Sequence, residues 1–186
     1  NKNVTVVWID NLNDYYEVKL KKDRLKDLRK INSKFKFYKE DIINLKKLDS
    51  LFKKYKFNVV INLAAQVGVR YSIKYPEKYF QSNMLGFYNI LELSRKYKIK
   101  HLIFASSSSV YGNNKKYPWN ENMITDNPLS FYASTKKSNE LMAYSYHNIY
   151  KLRCTGLRFF TVYGEWGRPD MAVFKFTKSI LEKKNN

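Results

Sequence analysis

Cysteine and histidine are almost missing from this chain of 186 residues: Cys154 stands alone, and His101 and His147 are the only histidines. One cysteine excludes a disulfide framework and suits a reducing, cytoplasmic compartment. One cysteine and two distant histidines give zinc no ligand set, so no metal is expected. Cys154 lies in the apolar stretch Leu152 to Leu157 and reads as a small buried side chain. Long apolar runs are missing too, since none approaches the roughly 20 residues that span a bilayer. The opening Asn1-Lys2-Asn3-Val4 has neither the basic region nor the apolar core of a secretory signal, nor a starting methionine. We therefore expect a fragment with no membrane partner. Acidic residues number 16 against 35 Lys and Arg, a net charge of +19. Such a charge ordinarily points to nucleic acid. Here the lysines are scattered rather than gathered into a stripe, as compositional drift would leave them, so no nucleic-acid partner is expected. The positive field would still favour a polyanionic small ligand. Glycine is scarce, at six residues.

The length and the 44% hydrophobic content suit one domain with a real core. Val4 to Ile9 is a β-branched run ending at Asp10-Asn11, a strand and a turn. Leu20, Leu25, Leu28 and Ile31 recur at near-helical spacing. Phe35 to Lys39 alternates as a strand, Leu45 to Phe52 carries a short amphipathic helix, and Val59 to Leu63 reads as a buried strand. Pro76 to Tyr97 predicts a long helix, His101 to Ala105 a strand running into serines, and 113–128 a loop. Ser130 to Tyr150, Cys154 to Phe159 and Ala172 to Lys183 predict a helix, a strand and a last helix. The alternation of strands and helices predicts an α/β fold, a doubly wound parallel sheet with helices on both faces. A dinucleotide-binding sheet of that kind opens with a strand and a Gly-rich turn, which this chain lacks. Asp10 nevertheless ends the first strand, where the ribose-binding acid of a second strand belongs. We expect the first strand, Gly-rich turn and first helix to precede Asn1.

The sharpest constellation is Ser106-Ser107-Ser108-Ser109-Val110-Tyr111-Gly112 followed by Tyr132-Ala133-Ser134-Thr135-Lys136. A Tyr and a Lys four apart share one helix face. A phenol becomes a useful base near neutral pH only when a nearby cation stabilises its anion. A serine at a strand end, on the C-terminal edge of a parallel sheet, sits where substrate hydroxyls are met. Spacing alone decides little, because Tyr15/Lys19 and Tyr111/Lys115 match it as well. Only Tyr132/Lys136 opens an amphipathic helix downstream of a serine-bearing strand end.

These segments resemble the extended short-chain dehydrogenase/reductase family of NAD-dependent nucleotide-sugar epimerases and dehydratases, with UDP-glucuronate 4-epimerases the nearest likeness. The resemblance is also carried by Ile9-Asp10-Asn11-Leu12-Asn13-Asp14-Tyr15-Tyr16, Leu63-Ala64-Ala65-Gln66-Val67-Gly68-Val69-Arg70-Tyr71-Ser72, Gly156-Leu157-Arg158-Phe159-Phe160-Thr161-Val162-Tyr163-Gly164 and Trp166-Gly167-Arg168-Pro169-Asp170-Met171-Ala172. It implies that residues 1–186 are part of an NAD-binding domain, with a substrate-binding region starting near 161–186. It implies Ser107, Tyr132 and Lys136 as the catalytic set. It places Asp10, Asn11 and Asn13 at the adenosine ribose of NAD, Asp41 and Ile42 at the adenine, and Leu63, Ala64 and Ala65 along the pyrophosphate. Asn83, Tyr132, Lys136, Phe159 and Phe160 would complete the cofactor contacts. Arg70, Ser108, Ser109, Thr161 and Arg168 would meet the substrate, Arg168 by forking onto a sugar carboxylate. It further implies a homodimer built from the helices after Pro76 and Ser130.

The implied reaction is 4-epimerisation of UDP-glucuronate to UDP-galacturonate through a 4-keto sugar. UDP-glucuronate decarboxylase is the nearest enzymatic alternative, because a 4-keto uronate loses carbon dioxide readily. A 4,6-dehydratase places an acid just after the catalytic Ser or Thr, whereas Ser108 and Ser109 stand here, and serine has no suitable pKa for that elimination. UDP-galactose 4-epimerase leaves Arg168 without a role. A non-catalytic nucleotide-binding fragment is the alternative from another class.

Overall fold

The computed structural model describes residues 4–31 and 33–183. The chain divides into two compact units, Asn1–Glu40 with Thr161–Asn186, and Asp41–Phe160.

In the first unit, β1 (Val6–Asp10) pairs in parallel with β2 (Phe35–Lys39), Val6 opposite Phe35 and Asp10 opposite Lys39. The helix between them, α1 (Val18–Ile31), starts only after a loop over 11–17, and it buries Leu25 and Lys21. The last helix, α7 (Ala172–Leu181), belongs to this unit as well.

The second unit holds a three-stranded parallel sheet of order β3 (Val59–Asn62), β4 (His101–Ser107), β5 (Cys154–Phe159). Its connecting elements are α2 (Leu45–Tyr55, before β3), α3 (Val69–Lys74) and α4 (Pro76–Tyr79). A π-helical segment Phe80–Leu85 then leads into α5 (Gly86–Lys96). After β4 come a 3-10 turn (Ser108–Tyr111) and α6 (Phe131–Tyr150).

The expected long helix after Pro76 is thus one helical rod carrying a π-turn in its middle, and Arg70 lies on the short helix α3. Helices were also expected on both faces of the sheet. One face, with Leu102, Phe104 and Ser106 of β4, is buried under α5 and α6. The opposite face keeps Val59, Ile61, Leu157 and Phe159 exposed, so β3 is not the buried strand its apolar run suggests. Apolar strand composition records that two layers are tolerated, and each layer must still come from some other segment.

Glycine scarcity shows in the helix ends. Lys56 and Lys151 take the left-handed conformation after α2 and α6, with φ of 47° and 56°, where glycine is usual. Where no side chain fits, glycine is kept. A Cβ on Gly112 would lie 2.2 Å from the Asn127 carbonyl oxygen, and one on Gly156 would lie 2.7 Å from the Phe104 ring.

Candidate active site

The C-terminal ends of the parallel strands β3, β4 and β5 deliver Leu63-Ala64-Ala65, Ser107 and Phe159-Phe160, the edge where open α/β sheets receive ligands. Ser107 ends β4 in an extended conformation and caps the following turn. Its Oγ accepts from the Ser109 N–H and donates to Ser109 Oγ, both at 3.1 Å. Ser108 and Ser109 follow in that turn, half-buried. Leu63 and Ala64 are exposed, as are Phe159 and Phe160. Phe160 meets the Tyr111 and Trp119 rings at centroid distances of 6.5 and 5.9 Å.

Helix α6 begins at Ser130, whose Oγ accepts from the Ala133 N–H at 3.1 Å in an ordinary N-cap. A second serine from outside the helix completes that end: Ser72 Oγ on α3 accepts from the Tyr132 N–H at 3.2 Å while donating to the Val69 carbonyl at 2.6 Å. The Tyr132 ring packs edge-on against Tyr79, 6.1 Å between centroids, and Tyr79 donates to the Val67 and Gly68 carbonyls. One turn on, Lys136 is 4% exposed. Its Nζ donates to the Ala105 carbonyl at 2.8 Å and stands 5.9 Å from the centre of the Tyr132 ring. Burial pushes the Lys136 pKa down to about 8. Tyr132, Lys136 and the end of β4 are therefore brought together.

Beneath this set lies a polar pin. Asn83, in the π-turn, is 1% exposed. Its Oδ1 accepts from the Gln66 N–H at 2.7 Å, and its Nδ2 donates to the Gln66 carbonyl and to Thr135 Oγ1 at 3.0 and 3.1 Å. Asn139 of α6 donates to the Asn83 carbonyl at 2.7 Å. Asn83 thus holds the loop after β3 against α6, and its amide is already committed to protein partners. Ile42 packs its side chain against Gly86, 6% exposed, and its carbonyl accepts from Asn89 at 3.0 Å. Asp41 Oδ1 accepts from the Ile43 N–H at 3.0 Å. Arg70 is exposed on α3. Sequence reading did not single out Ser72, Tyr79, Thr135 or Asn139; no local pattern marks them, because their partners lie far along the chain.

In the first unit, Asp10 ends β1, and its Oδ1 accepts from the Leu12 N–H at 2.7 Å. Asn11 Oδ1 accepts from the Asn13 N–H at 3.0 Å, and Asn13 holds the buried Lys21 ammonium at 2.7 Å through both its carbonyl and its Oδ1. Thr161 is exposed. Arg168 forks onto Asp170, Nε–Oδ1 at 3.0 Å and Nη2–Oδ2 at 2.5 Å, and Asp170 Oδ2 also accepts from Tyr15 OH at 3.1 Å. Among the described residues no cluster of three His, Cys, Asp or Glu is placed to hold a metal, and no helix is long and apolar enough to cross a membrane.

The profile of the family described as GDP-mannose 4,6 dehydratase matches residues 1–186. The chain belongs to that family. Among its relatives, Protein CapI of Staphylococcus aureus is 57% identical over 176 residues, 95% of this chain and 52% of the relative. UDP-glucuronate 4-epimerase 4 of Arabidopsis thaliana is 49% identical over 181 residues, 97% of this chain and 41% of the relative. The UDP-glucuronic acid 4-epimerase of Bacillus cereus, solved with UDP-glucuronic acid and NAD, superposes with a TM-score of 0.88 at 37% identity, over 96% of this chain and 55% of that one. The expected α/β, Rossmann-like architecture holds, and this chain spans about half the length of the relatives it matches.

Proposed function

We propose that the protein carrying this chain is an NAD-dependent nucleotide-sugar 4-epimerase that interconverts UDP-glucuronate and UDP-galacturonate. The observation that carries this reading is the buried Lys136 ammonium, 5.9 Å from the Tyr132 ring centre and bonded to the carbonyl of Ala105, on the strand that ends at Ser107 with no carboxylate directly following it in sequence. Similarity to the Arabidopsis and Bacillus epimerases supports the substrate.

The residues fit NAD. Lys136 has three ammonium donors, and among the described residues only one hydrogen-bond acceptor, Ala105 O, so donors remain for ribose hydroxyls. Asp10 commits one carboxylate oxygen to Leu12 and keeps the other for a ribose hydroxyl, while its charge repels a 2′-phosphate. Ala64 and Ala65 let a backbone come close to a pyrophosphate. Phe159 and Phe160 offer flat apolar walls. When bound, NAD supplies a reversible hydride acceptor, so the reaction involves no net redox change.

The protein's own groups handle the proton. Tyr132 takes the proton of the C4 hydroxyl as the 4-keto sugar forms and returns it when the opposite face is reduced. Lys136 stabilises the phenolate form of Tyr132 that exists before it takes this proton and again after it returns it. Ser107 hydrogen-bonds the C4 oxygen. Ser108, Ser109, Thr161 and Arg70 are proposed sugar contacts. Arg168 is proposed to read the carboxylate; its fork already matches one on Asp170. We further propose a homodimer through the outer faces of α5 and α6, where Tyr88, Ile149 and Tyr150 are exposed.

The test uses the protein expressed from its complete reading frame and incubated with UDP-glucuronate. Equilibration with UDP-galacturonate without added NAD is expected, and Tyr132→Phe is expected to abolish it. A UDP-pentose with release of carbon dioxide would establish a decarboxylase instead. Arg168→Ala is expected to impair uronates far more than neutral sugars; equal losses would remove the carboxylate role.

A further inference from the structure

The ties between α6 and the sheet continue one turn past Lys136. Glu140 of α6 is gripped by the Arg158 fork from β5, Nε–Oε1 and Nη2–Oε2 both at 2.9 Å. It also accepts from Ser106 Oγ of β4 at 2.5 Å. The two charged side chains are only 17% and 18% exposed. Arg158 is the register partner of Ser106, the residue before Ser107. Its guanidinium lies 4.9 Å from the ring centre of Tyr111, the last residue of the turn that Ser107 caps, and it donates to the Glu121 carbonyl at 3.3 Å.

Residues 132, 136 and 140 follow one another at i, i+4 and i+8 on a single helix face. The three turns are held differently. At Tyr132 the tie is a backbone N–H to a serine, and at Lys136 it is the tip of a flexible four-carbon chain. Neither fixes how far α6 slides along β4. A planar two-point fork does, because both of its bonds are lost on a small translation. A buried ion pair is weak evidence for stability, since well-packed apolar residues often replace one without loss. Geometry is what such a pair contributes here.

We propose that Glu140 and Arg158, with Ser106 as their link to β4, are positioning residues that keep Tyr132 and Lys136 in register with Ser107. The proposal rests on the acid/base reading of those three residues. A displacement of about 1 Å at such a set costs roughly 100-fold in rate.

The experiment uses the double variant Glu140→Met/Arg158→Met, which leaves no unpaired charge, and the milder Ser106→Ala, in the complete protein labelled with 3-fluorotyrosine. The fluorine resonance missing from Tyr132→Phe reports on Tyr132. We expect this resonance to move or broaden in both variants while thermal unfolding stays cooperative and close to the parent. We also expect kcat on UDP-glucuronate to fall at least roughly tenfold in the double variant, with KM little changed. An unmoved Tyr132 resonance in either folded variant overturns the proposal, and so does a parent-level kcat. If the double variant does not fold, Ser106→Ala decides by the same two readouts. A parent that ignores UDP-glucuronate removes the epimerase reading alone, and the fluorine spectrum still decides the positioning role.

Discussion

The Lys136 ammonium donates to the backbone carbonyl of Ala105 at 2.8 Å, two residues before Ser107, and this bond ties α6 to the strand that ends at the serine. The price is a buried cation with no carboxylate beside it. Burial lowers its pKa from 10.5 to about 8. Between those values the unfolded chain keeps a proton that the folded chain has released, so this group makes stability rise with pH in that window. Lys136→Met is expected to remove that slope, to raise stability near neutral pH by about 1–3 kcal/mol, and to abolish turnover. Urea denaturation across the window checks the sign; a slope that persists in the variant refutes it.

Asn83 and Gln66 exchange two hydrogen bonds, the side-chain amide pairing with the backbone N–H and carbonyl of one residue. Asn83→Ala leaves the Gln66 N–H and carbonyl and the Thr135 hydroxyl without this partner, and is expected to cost about 2–4 kcal/mol. Asn83→Asp keeps the acceptor for the Gln66 N–H but loses both donations. A loss below about 1 kcal/mol in Asn83→Ala would show that water replaces the pin.

Glu140 is pushed up by burial, but the Arg158 fork and the Ser106 hydroxyl outweigh this and hold it below the usual 4.5. Its contribution to stability is complete above 4.5 and is lost as pH falls through the lowered folded value. Glu140→Gln is therefore expected to flatten the acid limb of the stability profile, and an unchanged acid limb would count against this.

Cys154 is half-buried at the start of β5, and burial pushes its thiol from 9.0 up to about 11. Two pH units cut the thiolate fraction about 100-fold, so alkylation by iodoacetamide in the folded protein should be slower than that of a free thiol by at least that factor. Mass spectrometry of timed samples measures this, and rapid labelling under native conditions would contradict it.

Lys56, Lys98 and Lys151 all hold positive φ, at 47°, 50° and 56°. The backbone N–H groups of Lys56 and Lys151 close the last turns of α2 and α6 onto Phe52 and His147. Glycine keeps those bonds and removes the Cβ clash of the left-handed region. Each Lys→Gly substitution is expected to stabilise by about 0.5–1 kcal/mol. Thermal unfolding of the triple variant should show a rise; a fall would mean that the lysine side chains contribute more than the clash costs.

Much of this was legible in the chain. The βα order followed from apolar periodicity, and Ser130 before Phe131 marked the start of α6. Tyr132 and Lys136 stood out because i and i+4 share a helix face. The loop before α1 and the π-turn around Asn83 were not legible, since both depend on partners outside their own segments. Ser72 lies 60 positions from the Tyr132 N–H it accepts, and Glu140 had several cations within reach along the sequence. The apolar run of β3 suggested two covered faces, and the structure covers one.

What the sequence determines alone is whatever neighbouring residues decide between themselves: strand and helix periods, the N-cap of α6, the serine run that closes β4, and the i, i+4 placement of Tyr132 and Lys136. Only the tertiary structure decides that Lys136 is buried and its pKa lowered, that Ser72 caps the Tyr132 N–H, and that Glu140 chooses Arg158. Desolvation, and the pairing of groups distant in the chain, are properties of surroundings that no local pattern contains.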